Sequence, residues 1–412
     1  MTFRRLLPPA GARFLVLSDL ANTVATGLFT TGGTIFLVRT AGLSVAEIGT
    51  GLTIGGIAGL LATVPLGRLS DRLGPRDLAI ALLLVRAAGT ASLVLVHSFP
   101  LFVALAVVVL VGDRGADTAI VSLVARAGGP DRLTIRAYLR AVTNVGVAIG
   151  ALAAGVFIAI DSRPAYVVLM LLNGATLVAG AALLLPVPRP VRVPRPAGAR
   201  SWAALRDRRY LAVTALHGVL SLNYDLLAFA IPLWVVKRSS APHWIVSVLM
   251  LVNTVLVASL QVRASRGTEL PSRAAAVGRR AGLVFFASCA LLAASSGRGA
   301  AVAVALLLAG VAVQSVGELW QTASAFGLSL ELAQEHAQGE YQGVFALGRG
   351  IERAVAPAVL SALCLGWGPP GWLVVGGVLA AAGALLPAAA RAGRADPIER
   401  RPTASPGEAA RR

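Results

Sequence analysis

Charged residues are scarce in this chain of 412 residues, making up 14% of it against a hydrophobic share of 56%. Soluble domains carry about 25% charged residues, so the deficit excludes an ordinary soluble protein. Lysine is almost absent, since Lys237 is the only one among 37 basic residues. Cysteine occurs twice, and because Cys289 and Cys364 both lie inside apolar runs, they predict packing residues rather than a structural disulfide.

Several functional signatures are also missing from the sequence. It contains no P-loop, no catalytic triad and no cluster of metal ligands, which predicts that the chain is not an enzyme and needs no cofactor or metal. The net charge of +18 does not indicate nucleic acid binding, because the arginines form short clusters between apolar runs. Nothing indicates an obligate protein partner. The four histidines are scattered: His97, His217, His243 and His336.

What the sequence does have is long apolar runs. A membrane helix needs about 20 mostly apolar residues, and twelve segments qualify. The first is broken by Asp19 and Asn22 and is too long for a cleavable signal peptide, so we expect it to remain in the protein. The predicted spans are 14–38, 46–66, 77–97, 100–125, 137–160, 165–186, 210–234, 242–262, 281–297, 300–326, 342–366 and 371–390.

The basic residues predict the orientation of these spans. Segments that would share a side with the N-terminus hold 28 of them, and the opposite loops hold five. Cytoplasmic loops are the ones enriched in Lys and Arg, so both termini are predicted to be cytoplasmic, with the protein in the cell membrane. A Pro/Arg-rich stretch at 187–209 predicts a cytoplasmic linker between two six-helix units, 1–186 and 210–390, followed by a disordered tail at 391–412.

The stretch from Gly67 to Arg76 lies between the second and third apolar runs. Its Gly, Pro, Asp and Arg residues would be costly in hydrocarbon, so it predicts a short loop at the membrane surface. It resembles the signature loop of the major facilitator superfamily, Gly-x-x-x-Asp-Arg-x-Gly-Arg-Arg, with Pro75 in place of one basic residue. The matching positions are Gly67, Asp71, Arg72, Gly74 and Arg76.

This resemblance implies an all-α membrane protein whose twelve transmembrane helices form two pseudo-symmetric six-helix bundles. It also implies a conformational latch, in which Asp71 contacts the start of helix 11 near Gly339, Gly67 permits the close approach, and Arg72 balances the charge. A carboxylate at a helix N-terminus is stabilised there, so the latch would favour one of two alternating states.

Ionisable groups inside predicted membrane helices are functional candidates. In the first half, Asp19 and Asn22 lie on helix 1, and Asp19 is the acid most isolated in sequence from a basic partner. This isolation predicts that Asp19 carries the proton. Helix 4 holds Asp113, Arg114 and Asp117, of which the last two are spaced to pair. The remaining candidate is Arg86 on helix 3, expected to neutralise one of the helix 4 aspartates.

The second half carries a comparable set of polar residues. Asn223, Tyr224 and Asp225 lie near the middle of helix 7, where a central cavity would place them. On helix 10, Glu318 and Trp320 are candidates for substrate contact, with a packing role as the alternative for Trp320. On helix 11 we expect Arg349 to pair with Glu352, and Arg353 with a carboxylate of another helix such as Glu318: a structural charge network of Arg86, Arg349, Glu352 and Arg353.

Helix 5 contains Gly146 and Gly150, four residues apart, a spacing that lets another helix approach closely. Drug/proton antiporters of the superfamily carry a glycine-rich motif in this helix, although their Gly-Pro pair is absent here, because Ala151 follows Gly150.

Together these features predict a secondary active transporter. The resemblance implies proton-coupled efflux of small cationic or amphipathic molecules, with the proton gradient as the driving force. Two alternatives stay open: a uniporter or symporter that imports a polar metabolite, and a membrane sensor or assembly protein that no longer transports.

Overall fold

A computed structural model describes residues 12–391 except 192, 195, 197–201 and 266, and all regular structure in that part of the chain is helical. Twelve of its helices are long and apolar enough to cross a bilayer, which confirms the predicted number. They are α1 Arg13–Arg39, α2 Val45–Leu73, α3 Pro75–Ser92, α4 Phe99–Ala127, α5 Arg132–Ile160, α6 Arg163–Leu184, α7 Arg208–Arg238, α8 Ile245–Ala264, α9 Pro271–Ala294, α10 Ala300–Glu331, α11 Gln338–Leu360 and α12 Pro369–Arg391.

The predicted loop from Gly67 to Arg76 is wrong in extent. Helix α2 continues to Leu73, and α3 begins at Pro75, so only Gly74 separates them. Gly74 has a φ of 100°, a conformation that is strained for any residue with a side chain. Pro75 supplies the fixed φ that suits the first helical position. Arg68, Ser70, Asp71 and Arg72 are therefore held on the last two turns of α2, and Arg76 lies in the first turn of α3.

Several helices begin earlier than predicted, and the two largest differences are at α5 and α9. α5 starts at Arg132 rather than 137, and α9 starts at Pro271 rather than 281, in each case through an arginine-containing turn that lies outside the predicted span. The chain also forms two π-helical segments. Leu226–Ala230 lies within α7, and Ser361–Trp367 directly follows α11. Such segments interrupt regular α-helical hydrogen bonding and occur frequently at functional sites.

Most of the apolar core is divided between the two halves of the chain, and two small clusters cross between them, one through Val64 and one through Ala125 and Leu133 with Phe326 and Leu330. One large cluster contains only residues from Val213 to Ala390 and includes the edge-to-face pair of Trp234 and Trp372, whose ring centroids lie 5.6 Å apart. Two further clusters contain only residues from Ala12 to Val187. The predicted linker lies partly outside the described residues, with one helical turn at Ala203–Arg206, and the predicted tail lies outside them beyond Arg391.

Candidate functional site

The carboxylate of Asp71 joins the two halves of the chain. Its Oδ1 accepts a hydrogen bond from the backbone N–H of Gly339 at 2.8 Å, and its Oδ2 accepts one from Glu340 at 3.0 Å. Both donors lie in the first turn of α11, where the N–H groups have no partner within the helix. The contact that the resemblance implied between Asp71 and helix 11 is therefore present in this structure.

A seam of glycines brings the backbones of α2 and α11 together around this carboxylate. A Cβ on Gly67 would collide with the carbonyl oxygen of Gly339, and a Cβ on Gly339 would collide with that of Gly67. One turn further along α11, a Cβ on Gly343 would lie 2.5 Å from the carbonyl oxygen of Thr63. Only glycine fits at these positions while the two helices are in direct contact. The close approach of α2 and α11 therefore depends on these glycines.

The countercharge to Asp71 is Arg126 of α4, whose Nη2 lies 2.5 Å from Oδ1. The expectation that Arg72 balances this charge is wrong, because the Arg72 side chain is exposed on the far side of the helix turn. Arg76 has a different task, donating to the carbonyl oxygens of Leu184 and Leu185 at the end of α6.

The halves separate away from this seam. The face of α2 that meets α11 is buried at Thr63, Val64 and Gly67, but the same face is exposed two to four turns earlier, at Thr53 and Ile57. The facing side of α11 is likewise exposed at Ala354 and Pro357. The molecule is therefore closed at the end that holds Asp71 and open toward the other end.

In the first half, Arg86 connects three helices. Its guanidinium lies 2.8 Å from Asp113 of α4 and donates to the side chains of Asn22 (2.6 Å) and Thr26 (3.1 Å) of α1. The expected neutralisation of a helix 4 aspartate by Arg86 is thus observed, and Asp113 is the one it pairs with.

Asp19 and Asp117 form a second group nearby. Asp19 is buried and its Oδ2 has no hydrogen-bond partner, whereas Asp117 is exposed. Each lies in the electrostatic field of the other, and Arg136 of α5 lies near both. The expected isolation of Asp19 from basic residues therefore does not hold in three dimensions, and the expected pairing of Asp117 with Arg114 is not an ion pair within 4 Å.

The glycines of α5 pack as predicted against another helix, which is α1. A Cβ on Gly146 would lie 2.9 Å from the Cβ of Thr23, and one on Gly150 would lie 2.8 Å from the backbone nitrogen of Leu28. This close contact fixes α1, and with it Asp19, against α5.

In the second half, Tyr224 of α7 is the centre of the polar group. Its hydroxyl lies 3.1 Å from Oε1 of Gln321 and 2.9 Å from Oγ1 of Thr322, both on α10. The guanidinium carbons of Arg349 and Arg140 lie 3.9 Å and 4.9 Å from the centroid of its ring. Asn223 turns away from this group, because its side chain donates to its own helix at Leu220.

The predicted pairings of the other charges in this half are wrong. Glu318 binds Arg140 of α5 at 3.0 Å and Asn253 of α8 at 2.9 Å, so it is not available to Arg353. Glu352 makes no ion pair with Arg349 within 4 Å; its carboxyl group faces that of Asp225 instead.

The remaining candidates of the second half divide between cavity and core. Arg353 is exposed, and Trp320 packs against the apolar core of its half, which favours the packing role for that residue.

Sequence reasoning missed three functional arginines: Arg126, Arg136 and Arg140. All three were counted as loop residues because they lie at or near the ends of helices. The sign that could have found Arg136 and Arg140 is their spacing of four residues, which places them on one face of α5 once that helix begins at Arg132.

A comparison with protein families places residues 15–357 on the profile of the Major Facilitator Superfamily. The chain belongs to this superfamily. A comparison with curated proteins returned no match. Membership makes the chain a membrane transporter of small molecules rather than an enzyme.

Solved structures agree with this fold. The human organic anion transporter MFSD10 is 18% identical with a TM-score of 0.67, covering 92% of this chain and 100% of that one. A bacterial homologue of the iron transporter ferroportin, in an outward-facing state, is 15% identical with a TM-score of 0.71, covering 93% and 98%. The proton:xylose symporter XylE is 13% identical with a TM-score of 0.65, covering 91% and 94%. At these identities the likeness concerns the fold alone.

Proposed function

We propose that this superfamily member is a proton-coupled secondary transporter that exports small cationic or amphipathic molecules across the cell membrane. The observation that carries the coupling is the group formed by Asp19 and Asp117. A buried carboxyl group with an unpartnered oxygen lies near an exposed one, and each acts electrostatically on the other. A proton arriving from the cavity can therefore reach a site that is shielded from bulk solvent.

Alternating access is supported by the contact between Asp71 and α11. A carboxylate at a helix N-terminus contributes about 0.3–2 kcal/mol, and Arg126, which lies in the same half of the chain as Asp71, positions that carboxylate for the contact. A contact that exists in one of two states shifts the equilibrium toward that state by its own free energy. Asp71 would therefore hold the cytoplasmic end closed while the cavity is open to the outside.

Proton-coupled import of a polar metabolite is a second candidate, and the arginines Arg136 and Arg140 favour it. A proton and an anionic substrate attract each other, so their binding would be mutually favourable, as co-transport requires. A proton and a cationic substrate would instead compete for the same carboxyl groups, as exchange requires. The charge of the substrate therefore distinguishes the two candidates.

The test is transport in inverted membrane vesicles with an imposed pH gradient, screened over cationic dyes and antibiotics. Asp19→Asn should abolish accumulation driven by the gradient and retain substrate binding, because the cavity keeps its shape and loses one titratable group. The control is Asp161→Asn, an exposed aspartate at the opposite end of α5. Accumulation against the gradient by the Asp19 variant would show that the coupling acid lies elsewhere, with Asp225 as the next candidate.

The orientation in the membrane is part of the proposal. Single cysteines at positions 163, 238 and 298 should react with an impermeant reagent applied outside, and cysteines at 72, 132 and 273 should not. Any exchange between these two groups would contradict cytoplasmic termini.

A further inference from the structure

Two guanidinium groups from different halves of the molecule meet at one aromatic ring. Arg349 of α11 lies 3.9 Å from the centroid of Tyr224, and Arg140 of α5 lies 4.9 Å from it. Arg349 is near the middle of the span Glu335–Trp367, and Tyr224 is near the middle of the span Arg208–Arg238. The ring therefore lies near the centre of the membrane-spanning region, between the two halves.

The two guanidinium groups differ in their partners. Arg140 has the carboxylate of Glu318 at 3.0 Å. Among the described residues, no carboxylate lies within ion-pair distance of Arg349 and no hydrogen bond satisfies it, so the Tyr224 ring is its only close polar contact. A charge inside a membrane protein is costly without a partner.

The acidic groups that face Arg349 do not supply that partner. Glu352, one turn further along α11, attracts Arg349 only from beyond ion-pair distance, and its carboxyl group also interacts with that of Asp225 of α7. Arg140 and Arg353 are the other charged groups that act on Arg349, and both have the same sign as Arg349. The space beside the ring is therefore bordered by guanidinium groups whose mutual repulsion a bound anion would relieve.

The ring is also held in place before any ligand arrives. The Tyr224 hydroxyl is fixed by Gln321 and Thr322, and the π-helical segment Leu226–Ala230 begins two residues later. Guanidinium groups bind oxyanions through two parallel hydrogen bonds, and a fixed position lowers the entropic cost of that geometry.

We propose that Arg349 and Arg140, held against the ring of Tyr224, bind a carboxylate or sulfonate group of the transported molecule. The proposal rests on the function as a transporter and, of the cationic and amphipathic molecules proposed above, selects amphipathic ones that carry an anionic group: small organic anions. Since the two arginines belong to different halves, the anion would connect the halves at mid-membrane. Arg349 would gain a partner that the protein itself does not provide.

The experiment is equilibrium binding to purified protein in lipid nanodiscs, with no gradient. Three probes of one shape differ in charge: 2-naphthoate, 2-naphthylmethanol and 2-naphthylmethylammonium. The wild type should bind 2-naphthoate more tightly than the other two probes. Arg349→Gln should weaken 2-naphthoate binding by about 10- to 150-fold, since hydrogen bonds to charged groups contribute about 1.5–3 kcal/mol. Arg349→Lys should retain part of the affinity.

The affinity for 2-naphthylmethanol distinguishes anion binding from a purely structural role of Arg349, because loss of a structural contact would weaken binding of the alcohol as well. If Arg349→Gln weakened the alcohol and the anion equally, or if the wild type bound all three probes alike or not at all, the anion site would be refuted. Arg280→Gln, an exposed arginine on α9, is the matched control and should leave all three affinities unchanged. Failure of gradient-driven transport in vesicles would count against proton coupling and would leave this binding result intact, so the two proposals fail separately.

Discussion

Two of the contacts that join the halves of the molecule differ in kind. Between α2 and α11 the contact is backbone against backbone, with Gly67 against Gly339 and Asp71 on the first turn of α11. Between α5 and α10 it is made by long side chains, Arg132 with Glu331 at 2.5 Å and Arg140 with Glu318 at 3.0 Å.

These contacts respond differently to motion. Backbone contact through glycines has no adjustable atoms, so a displacement of the helices by an ångström or two removes it. An arginine side chain can change rotamer and follow its carboxylate over several ångströms. The glycine seam therefore responds as a switch, whereas the ion pairs can persist while the halves rotate.

The largest effect should come from adding one methyl group to the seam. Gly67→Ala places a Cβ against the Gly339 carbonyl oxygen and should prevent closure at that end. Overpacking costs about 1–3 kcal/mol, which corresponds to a drop in transport rate of about 5- to 150-fold. The measurement is the initial rate in vesicles at equal protein expression. Gly56→Ala is the control, because nothing lies within 4 Å of that position on the same helix, and equal rates in the two variants would contradict the role of the seam.

The seam also shows how far sequence reasoning reaches. The twelve spans follow from apolar runs, because crossing a bilayer imposes one length on every helix. The contact of Asp71 with α11 was available from a local motif, since motif and partner helix are recognisable separately. The motif could not show that Arg126 rather than Arg72 neutralises Asp71, because that choice depends on which side of α2 faces α4.

The charged contacts around Tyr224 were harder to predict from the sequence for a related reason. Arg140 and Glu318 are 178 positions apart, and no spacing rule relates residues on helices from different halves. Pairs within a helix, such as Arg349 with Glu352, follow spacing rules and were predicted, yet their side chains found other neighbours across helices. Burial between helices overrides local spacing when the competing partner lies on a facing helix.

An intermediate effect is expected for the charges around the seam. Asp71→Asn should leave expression near the wild-type level and reduce transport by about 2- to 30-fold, because the helix terminus loses a stabilising charge of about 0.3–2 kcal/mol. Arg126→Gln should cause a loss of similar direction, whereas Arg72→Gln should not. Asp77→Asn, an aspartate about 41% exposed in its side chain, is the control for Asp71. Normal turnover of the Asp71 and Arg126 variants would remove the latch from the mechanism.

The smallest effect should come from the ion pair of Arg132 and Glu331. Their side chains are 30% and 17% exposed, so water competes with the interaction, and pairs of this kind contribute about 0.2–1 kcal/mol. Arg132→Gln should therefore reduce transport by less than about fivefold, and the charge-reversed double variant Arg132→Glu/Glu331→Arg should recover most of that loss, since flexible side chains can meet in either order. The same vesicle assay measures both. A loss in Arg132→Gln as large as that in Gly67→Ala would mean that the side-chain contacts, and not the glycine seam, control closure of the two halves.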